Sequence, residues 1–336
     1  MKILITGGVG FIGTNCAIYF AKQKNKVVLI DDFSRTGVDK NAKYLINYYP
    51  NLIKIIKCRV GKIELYKKEL ITSNVIIHLA GQTAVTTSIK DPEYDFENNL
   101  HDSFLLLNAV KKYNPSVPLL FASTNKVYGN LSKHQTVLNK KIKQYIDICH
   151  PQGIDETEPV DFISPYGCSK GATDLYFLDF ARIYGLKTVV FRQSCIYGPH
   201  QLGVEDQGWV AHFSKQIIRK QPITIFGNGF QVRDLLHVDD LIYAYDLAIK
   251  KINKVSGQAI NVGGGVNNAF SLNQVISILE KKTNNHIQIS YQLSRLGDQP
   301  YFVSDNKKAK KLLNWKPLIN FKQGINSLIK WQINNL

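Results

Sequence analysis

Residues 1–13 read MKILITGGVGFIG, and an acidic pair follows at Asp31 and Asp32. Residues 2–6 are apolar enough for a buried strand. Gly7, Gly10 and Gly13 come next in a GxxGxxG spacing, and a helical pattern runs on to about residue 23. Residues 27–30 form a second apolar run that ends at Asp31. The unit is therefore strand, glycine turn, helix, strand, acid. Glycines there permit a tight turn and let the backbone approach a pyrophosphate, whose charge sits at the helix N-terminus. A glycine triplet alone is a weak signal, but this context makes it specific. Asp31 can accept hydrogen bonds from ribose hydroxyls and would repel a 2′-phosphate, so NAD is favoured over NADP.

The alternation continues outward from that unit. Residues 53–57 and 74–78 read as strands with a helical segment between them. Leu79, Ala80 and Gly81 then supply small groups where a cofactor can lie close, followed by Gln82. Residues 93–113 read as one long helix carrying Asn98 and Asn99. Residues 117–122 form the next strand, which ends in STNKVYG at 123–129. This pattern predicts an α/β fold with a Rossmann-type, doubly wound parallel sheet. Ligands of such sheets sit beyond the carboxyl ends of the strands, which places Thr124 within reach of a substrate. The bland alternative for Thr124 is a turn residue bonding its own backbone.

Tyr166 and Lys170, in SPYGCSK at 164–170, are four apart. If Tyr166 opens a helix, both side chains share one face. Pro165 suits a helix start. A tyrosine is a poor base at neutral pH, and an ammonium beside it favours the phenolate. The phenolate could take a proton from a sugar hydroxyl while hydride leaves the same carbon. A lone YxxxK is common and would otherwise be an exposed helical pair.

Later segments alternate strand and helix. Residues 187–192, 223–226 and 231–237 read as extended, and an amphipathic helix follows the loop 201–209. The expected division is 1–185 as an NAD-binding domain, with segments near 230–262 returning to it. Residues 186–229 and 263–336 form a smaller substrate-binding lobe. Residues 130–163 are polar and read as an irregular lid or decoration. His134, Cys149 and His150 fall there in a spacing that fits no standard metal pattern, so no metal is expected.

Composition excludes several classes. Apolar residues make up 44% of the 336, enough for a real core. No apolar run is long enough to span a membrane. The net charge is +16, but the lysines are scattered, without the basic face and stacking aromatics of a nucleic-acid binder. A solvated basic surface is the plainer reading, one that also suits an anionic substrate. Five cysteines without a CxxC pair fit free thiols in a reducing cytoplasm.

TGGVGFIG, STNKVYG, SPYGCSK, IYGP at 196–199 and RDLLHVDDL at 233–241 together resemble the extended short-chain dehydrogenase/reductase family, over nearly the whole chain. That resemblance implies an NAD-dependent enzyme acting on a nucleotide-sugar. The longer strings HLAGQTAVTTSI, DQGW and GNGFQVRDLLH are similar to its 2-epimerases of CDP-linked dideoxyhexoses. This implies epimerisation at C2, bacterial surface-polysaccharide (lipopolysaccharide O-antigen) synthesis, and a homo-oligomer, dimer or tetramer. The catalytic set it implies is Thr124, Tyr166 and Lys170. The NAD positions are Gly7, Gly10, Phe11, Ile12, Gly13, Asp31, Asp32, Ser34, Arg35, Leu79, Ala80, Gly81 and Asn99, with Tyr166 and Lys170. The substrate positions are Gln82, Thr124, Asn125, Gln207, Trp209, Arg233, Arg295 and Asp298, the two arginines gripping the diphosphate.

Two residues depart from the family pattern. Arg59 stands where an aspartate commonly bonds the adenine amine, and Cys195 where many relatives have asparagine. A UDP-sugar 4-epimerase would share the same triad and cofactor. A 4,6-dehydratase would want an acidic pair where Asn125 and Lys126 stand. A silent NAD-binding scaffold would have no chemical reason to keep Thr124, Tyr166 and Lys170 together.

Overall fold

The computed structural model describes residues 1–295 and 298–335; Leu296 and Gly297 of the SRLGDQ string and the terminal Leu336 lie outside them. Seven strands form the main sheet: β1 (Lys2–Thr6), β2 (Lys26–Asp31), β3 (Ile53–Lys57), β4 (Val75–His78), β5 (Leu119–Thr124), β6 (Thr188–Gln193) and β7 (Gln258–Val262). Their order is β7-β6-β5-β4-β1-β2-β3. The neighbours β1–β2, β1–β4, β2–β3 and β4–β5 are parallel. The order reverses at β1, between β2 and β4, which is where such sheets bind ligands. The α/β, Rossmann-type expectation is therefore met.

Two compact units divide the chain. One holds Met1–Val127, Ser164–Arg192 and Ile242–Ile260; the other holds Tyr128–Ile163, Gln193–Leu241 and Asn261–Leu336. Residues 128–163 thus cluster with the second unit, and so does 193–241. The reason is visible in that unit's own bonds. Ile154 bridges Ser304, Tyr145 N–H donates to the Phe230 carbonyl, and Tyr128 Oη donates to Asn261. The first unit's core is packed from Leu4, Ile30, Ile76, Leu107, Phe121 and Phe177. The second packs Tyr197, Phe213, Ile225, Leu279 and Phe321. Each such side chain contributes about 1.5–3 kcal/mol on burial.

Two segments differ from the sequence reading. Residues 130–163 are not wholly irregular: Thr136–Asn139 and Gln144–Asp147 form an antiparallel hairpin. Asn139 Oδ1 accepts the backbone N–H groups of Lys141 and Ile142, which closes the turn between them. The long helix expected over 93–113 is broken. A short helix, Pro92–Phe96, leads into a π turn, Glu97–His101, and then a regular helix, Asp102–Tyr113. Single π turns inside helices gather at functional sites. Among the described residues no helix is long and apolar enough to cross a membrane.

Candidate active site

The glycine turn lies between β1 and α1 (Phe11–Lys22). Gly7 has φ of +66°, and a Cβ there would meet the Ala80 backbone N at 2.8 Å. At Gly13 a Cβ would collide with the Gly7 carbonyl and with Gly8. The cap residue Gly10 gives α1 no side-chain cap, and its first turn holds no acid. The N–H groups of Phe11, Ile12 and Gly13 therefore open a helix end suited to an anion. Asp31 ends β2, and its carboxylate accepts from Val9 N–H at 3.1 Å and Phe33 N–H at 2.9 Å. Burial raises its pKa above the usual carboxylate value, against these backbone bonds. A close-approach turn, an open helix end and an acid at the next strand end fit a dinucleotide.

Nearby positions take their own places. Asp32 Oδ1 accepts Ser34 N–H, and Arg35 reaches Thr83 Oγ1 at 3.5 Å. Leu79 and Ala80 are half-buried after β4, with Ala80 N–H on Thr6 Oγ1. Gly81 has φ of +154°, and a Cβ would collide with Asn99 Oδ1. That Asn99 oxygen is buried without a partner. Arg59 pairs with Asp102 at 3.2 Å and Glu97 at 3.4 Å. An aspartate at this position would stand against those two carboxylates, so a simple restoration of the family's acid is unfavourable here. Gly7→Ala is expected to abolish NAD retention, read as loss of NAD released when the purified protein is denatured. Unchanged NAD content would refute the cradle.

Tyr166 and Lys170 lie on α2 (Pro165–Tyr184), as the sequence predicts. Pro165 opens it, and Ser164 caps it by accepting Gly167 N–H at 3.0 Å. Tyr166 is 8% exposed and Lys170 5%. The Thr124 hydroxyl, at the end of β5, lies close enough to the Tyr166 side chain to lower its pKa. Thr124 also accepts Lys126 N–H at 3.2 Å, so the turn role and the site role coexist. Lys170 Nζ lies over the Phe121 ring, 4.2 Å from its centre. Burial lowers the Lys170 pKa to about 7, against Asp95 and Asp174, which raise it. Tyr166 is pushed up to about 12 by burial. In the chain alone, burial dominates, and Thr124 is the group that lowers the Tyr166 pKa.

Sequence reasoning missed the groups beneath this pair. His78 is buried between Thr6 Oγ1, at 2.6 Å, and Ser103 Oγ, at 2.8 Å. Burial holds it neutral, with its pKa near 3. Asp174 accepts two bonds from Arg192, at 2.9 and 3.1 Å, and one from Ser123 at 2.8 Å. Asp95 is buried among Gln82, Asn99 and Ser169. Their only sequence signal was the polar residue type, since the partners are far apart in the chain. Gln82, expected on the substrate, has both ends of its amide engaged by Ala84 and Asp95. Asn125 is buried beside Thr124, its Oδ1 3.4 Å from the Thr124 hydroxyl.

On the second unit the two arginines are paired within the chain. Arg233 is buried and donates to Asp298 at 2.6 Å and to the Val232 carbonyl at 2.7 Å. Asp298 is therefore Arg233's partner. Arg295 meets Glu205 at 3.1 Å and Asp206 at 3.0 Å, and stacks 3.8 Å over Phe226. Glu205 and Asp206 sit at the tip of a tight turn closed between Val204 and Gln207. Trp209 opens the helix Trp209–Ile218 and packs edge-on against Phe213. Cys195, half-buried on the strand Cys195–Tyr197, packs against this unit's core.

The hairpin region gathers His134, Asp147 and His150. His134 Nδ1 meets Asp147 Oδ2 at 2.7 Å and its Nε2 meets Glu158 at 3.2 Å. Both ring nitrogens are thus engaged by carboxylates, while Cys149 is exposed.

Over 98% of its length the chain is 40% identical to the CDP-paratose 2-epimerase of Salmonella typhi, covering 99% of that protein. It is 28% identical to a putative UDP-glucose 4-epimerase of Methanocaldococcus jannaschii, with 99% of each chain covered. Among solved structures, the UDP-glucose 4-epimerase of Thermotoga maritima with UDP-glucose superposes with a TM-score of 0.84 at 29% identity, over 99% of both chains. The UDP-glucuronic acid 4-epimerase of Bacillus cereus, in complex with UDP-glucuronic acid and NAD, gives 0.86 at 26% identity over both whole chains. The model of the NAD dependent epimerase/dehydratase family matches residues 3–263, a span that includes the glycine turn and Thr124, Tyr166 and Lys170, and the chain belongs to that family.

Proposed function

We propose that this enzyme converts CDP-paratose to CDP-tyvelose by inverting C2 of the sugar. The chemistry is carried by one observation: buried Tyr166 opens α2 beside Thr124 at the end of β5, with Lys170 one helical turn along. The choice of sugar is supported by the full-length similarity to a CDP-paratose 2-epimerase, at 40% identity against 28% for the UDP-glucose relative. Bound NAD supplies a hydride acceptor, then a donor, and in its oxidised form a positive charge. Tyr166 takes the proton of the C2 hydroxyl as the C2–H bond breaks, leaving a ketone at C2. Thr124 holds the reacting oxygen, and the Lys170 ammonium favours the phenolate. The ketone then presents its other face, C2–H reforms there, and Tyr166 returns the proton. No net oxidation occurs, so added NAD is not consumed.

A substrate deuterated at C2 should give product with the label still at C2. Washout into water would mean deprotonation at carbon instead. An untouched C2 label, with a primary isotope effect from a C4-deuterated UDP-sugar, would identify a 4-epimerase. We place the enzyme in the cytoplasm, as a homo-oligomer of two or four chains, in O-antigen synthesis; its mass in solution tests the assembly.

We further propose that Arg233 and Arg295 bind the substrate's diphosphate. Guanidinium groups suit such contacts, and exchange of a carboxylate for a phosphate keeps them paired. Arg233→Ala or Arg295→Ala should weaken CDP binding by about 1.5–3 kcal/mol, read by calorimetric titration. Unchanged affinity would leave both arginines with their internal ion pairs alone.

A further inference from the structure

Asp95 is 1% exposed, on the short helix Pro92–Phe96. Its Oδ1 accepts from Gln82 Nε2 at 3.1 Å and Asn99 Nδ2 at 2.9 Å; its Oδ2 accepts from Ser169 Oγ at 2.5 Å. All three donors are neutral, so none cancels the charge of a buried carboxylate. A buried charge without a counter-charge is costly.

The cation whose charge acts on it is Lys170, the residue after Ser169 on α2: Lys170 lowers the Asp95 pKa, and Asp95 raises that of Lys170. Of the other groups around Lys170, only Asp174 also raises its pKa, and that carboxylate is shared with an arginine. Asp174, one turn along α2, is matched by the two bonds from Arg192 of β6. His78 of β4 is neutral between Thr6 and Ser103. Phe121 of β5 offers only its ring face. Tyr166, one turn back, carries its proton in the chain alone. Asn99 also connects to this set: its amide donates to Asp95 and to Ser169, and a Cβ at Gly81 would lie close to its free oxygen and 3.8 Å from Lys170 Nζ.

We propose that Asp95 is a positioning residue of the reaction: its carboxylate keeps Lys170 an ammonium and, through Ser169 and Asn99, fixes the turn of α2 that carries it. This rests on the reading of Tyr166 and Lys170 as the reacting pair. The sign follows from the charges. Burial alone drives Lys170 toward the neutral amine, and Asp95 opposes that. Removing the carboxylate should let Lys170 lose its proton at lower pH. The phenolate would then lose its cation, so the alkaline limb of the rate profile should move down.

The test is Asp95→Asn in the NAD-loaded protein. Its oxygen can still accept from Gln82 and Asn99, and its NH2 can donate to Ser169, so the packing is kept. Lysine Cε labelled with 13C reports the Lys170 titration directly, without any sugar, with Lys170→Met assigning the signal. The midpoint should fall by about one pH unit, the low end for an opposite charge nearby. The alkaline limb of kcat/KM with CDP-paratose should fall by a similar amount. An unmoved Lys170 midpoint overturns the proposal, and so does an equal loss of rate at every pH. A moved midpoint with an unchanged profile would show that Lys170 does not serve the reaction, and would overturn the underlying reading as well.

Discussion

Tyr166→Phe is expected to lower turnover by about 10²–10⁴ while leaving the fold and NAD content intact. The substitution keeps the ring, which is almost wholly buried at the start of α2, and removes only the hydroxyl beside Thr124. Thr124→Val should cost less, because it removes a hydrogen bond and not the proton carrier. Single-turnover rates with CDP-paratose, alongside circular dichroism, separate chemistry from folding. A rate within threefold of the parent would move the acid–base role away from Tyr166.

The largest effect on stability is expected at Asp174. Asp174→Ala removes both bonds from the buried Arg192 guanidinium to its carboxylate and the acceptor of Ser123, at a cost of about 3–5 kcal/mol. The urea midpoint should fall steeply. Replacing both partners, as Asp174→Leu with Arg192→Met, should cost less than the single change, because the buried ion pair is then removed as a whole. If the single variant unfolds at the parent's midpoint, water or another acid has taken over Arg192.

The parts of this site that were legible in sequence are local. Glycine turn, helix start and strand-end acid lie within Gly7–Asp31, and each carries its own physical reason in a few residues. Tyr166 and Lys170 were legible because a four-residue step on a helix is a fixed geometry. Asp95 was not legible: Ser169 is 74 residues away, and only the folded chain brings them together. The same holds for Arg295, whose partners stand 90 residues back on a tight turn. The family resemblance implied an anion site there, but not that two carboxylates already occupy it. The 136–147 hairpin was hidden because Lys140, Lys141 and Lys143 obscure a short alternating pattern. Family resemblance supplied the substrate, which no residue's chemistry alone could name.

The π turn at Glu97–His101 has a consequence for the phase of its helix. A regular helix advances about 100° per residue, and a π turn absorbs one residue more than a regular turn does. Pro92–Phe96 and Asp102–Tyr113 are therefore out of step by that one residue. Deleting Asn98 would heal the helix and improve its backbone bonding. It would also rotate the upstream segment by about 100°, swinging Asp95 away from Ser169 and Lys170. The irregular turn thus works as a phase shifter, and the more regular helix would be the poorer enzyme.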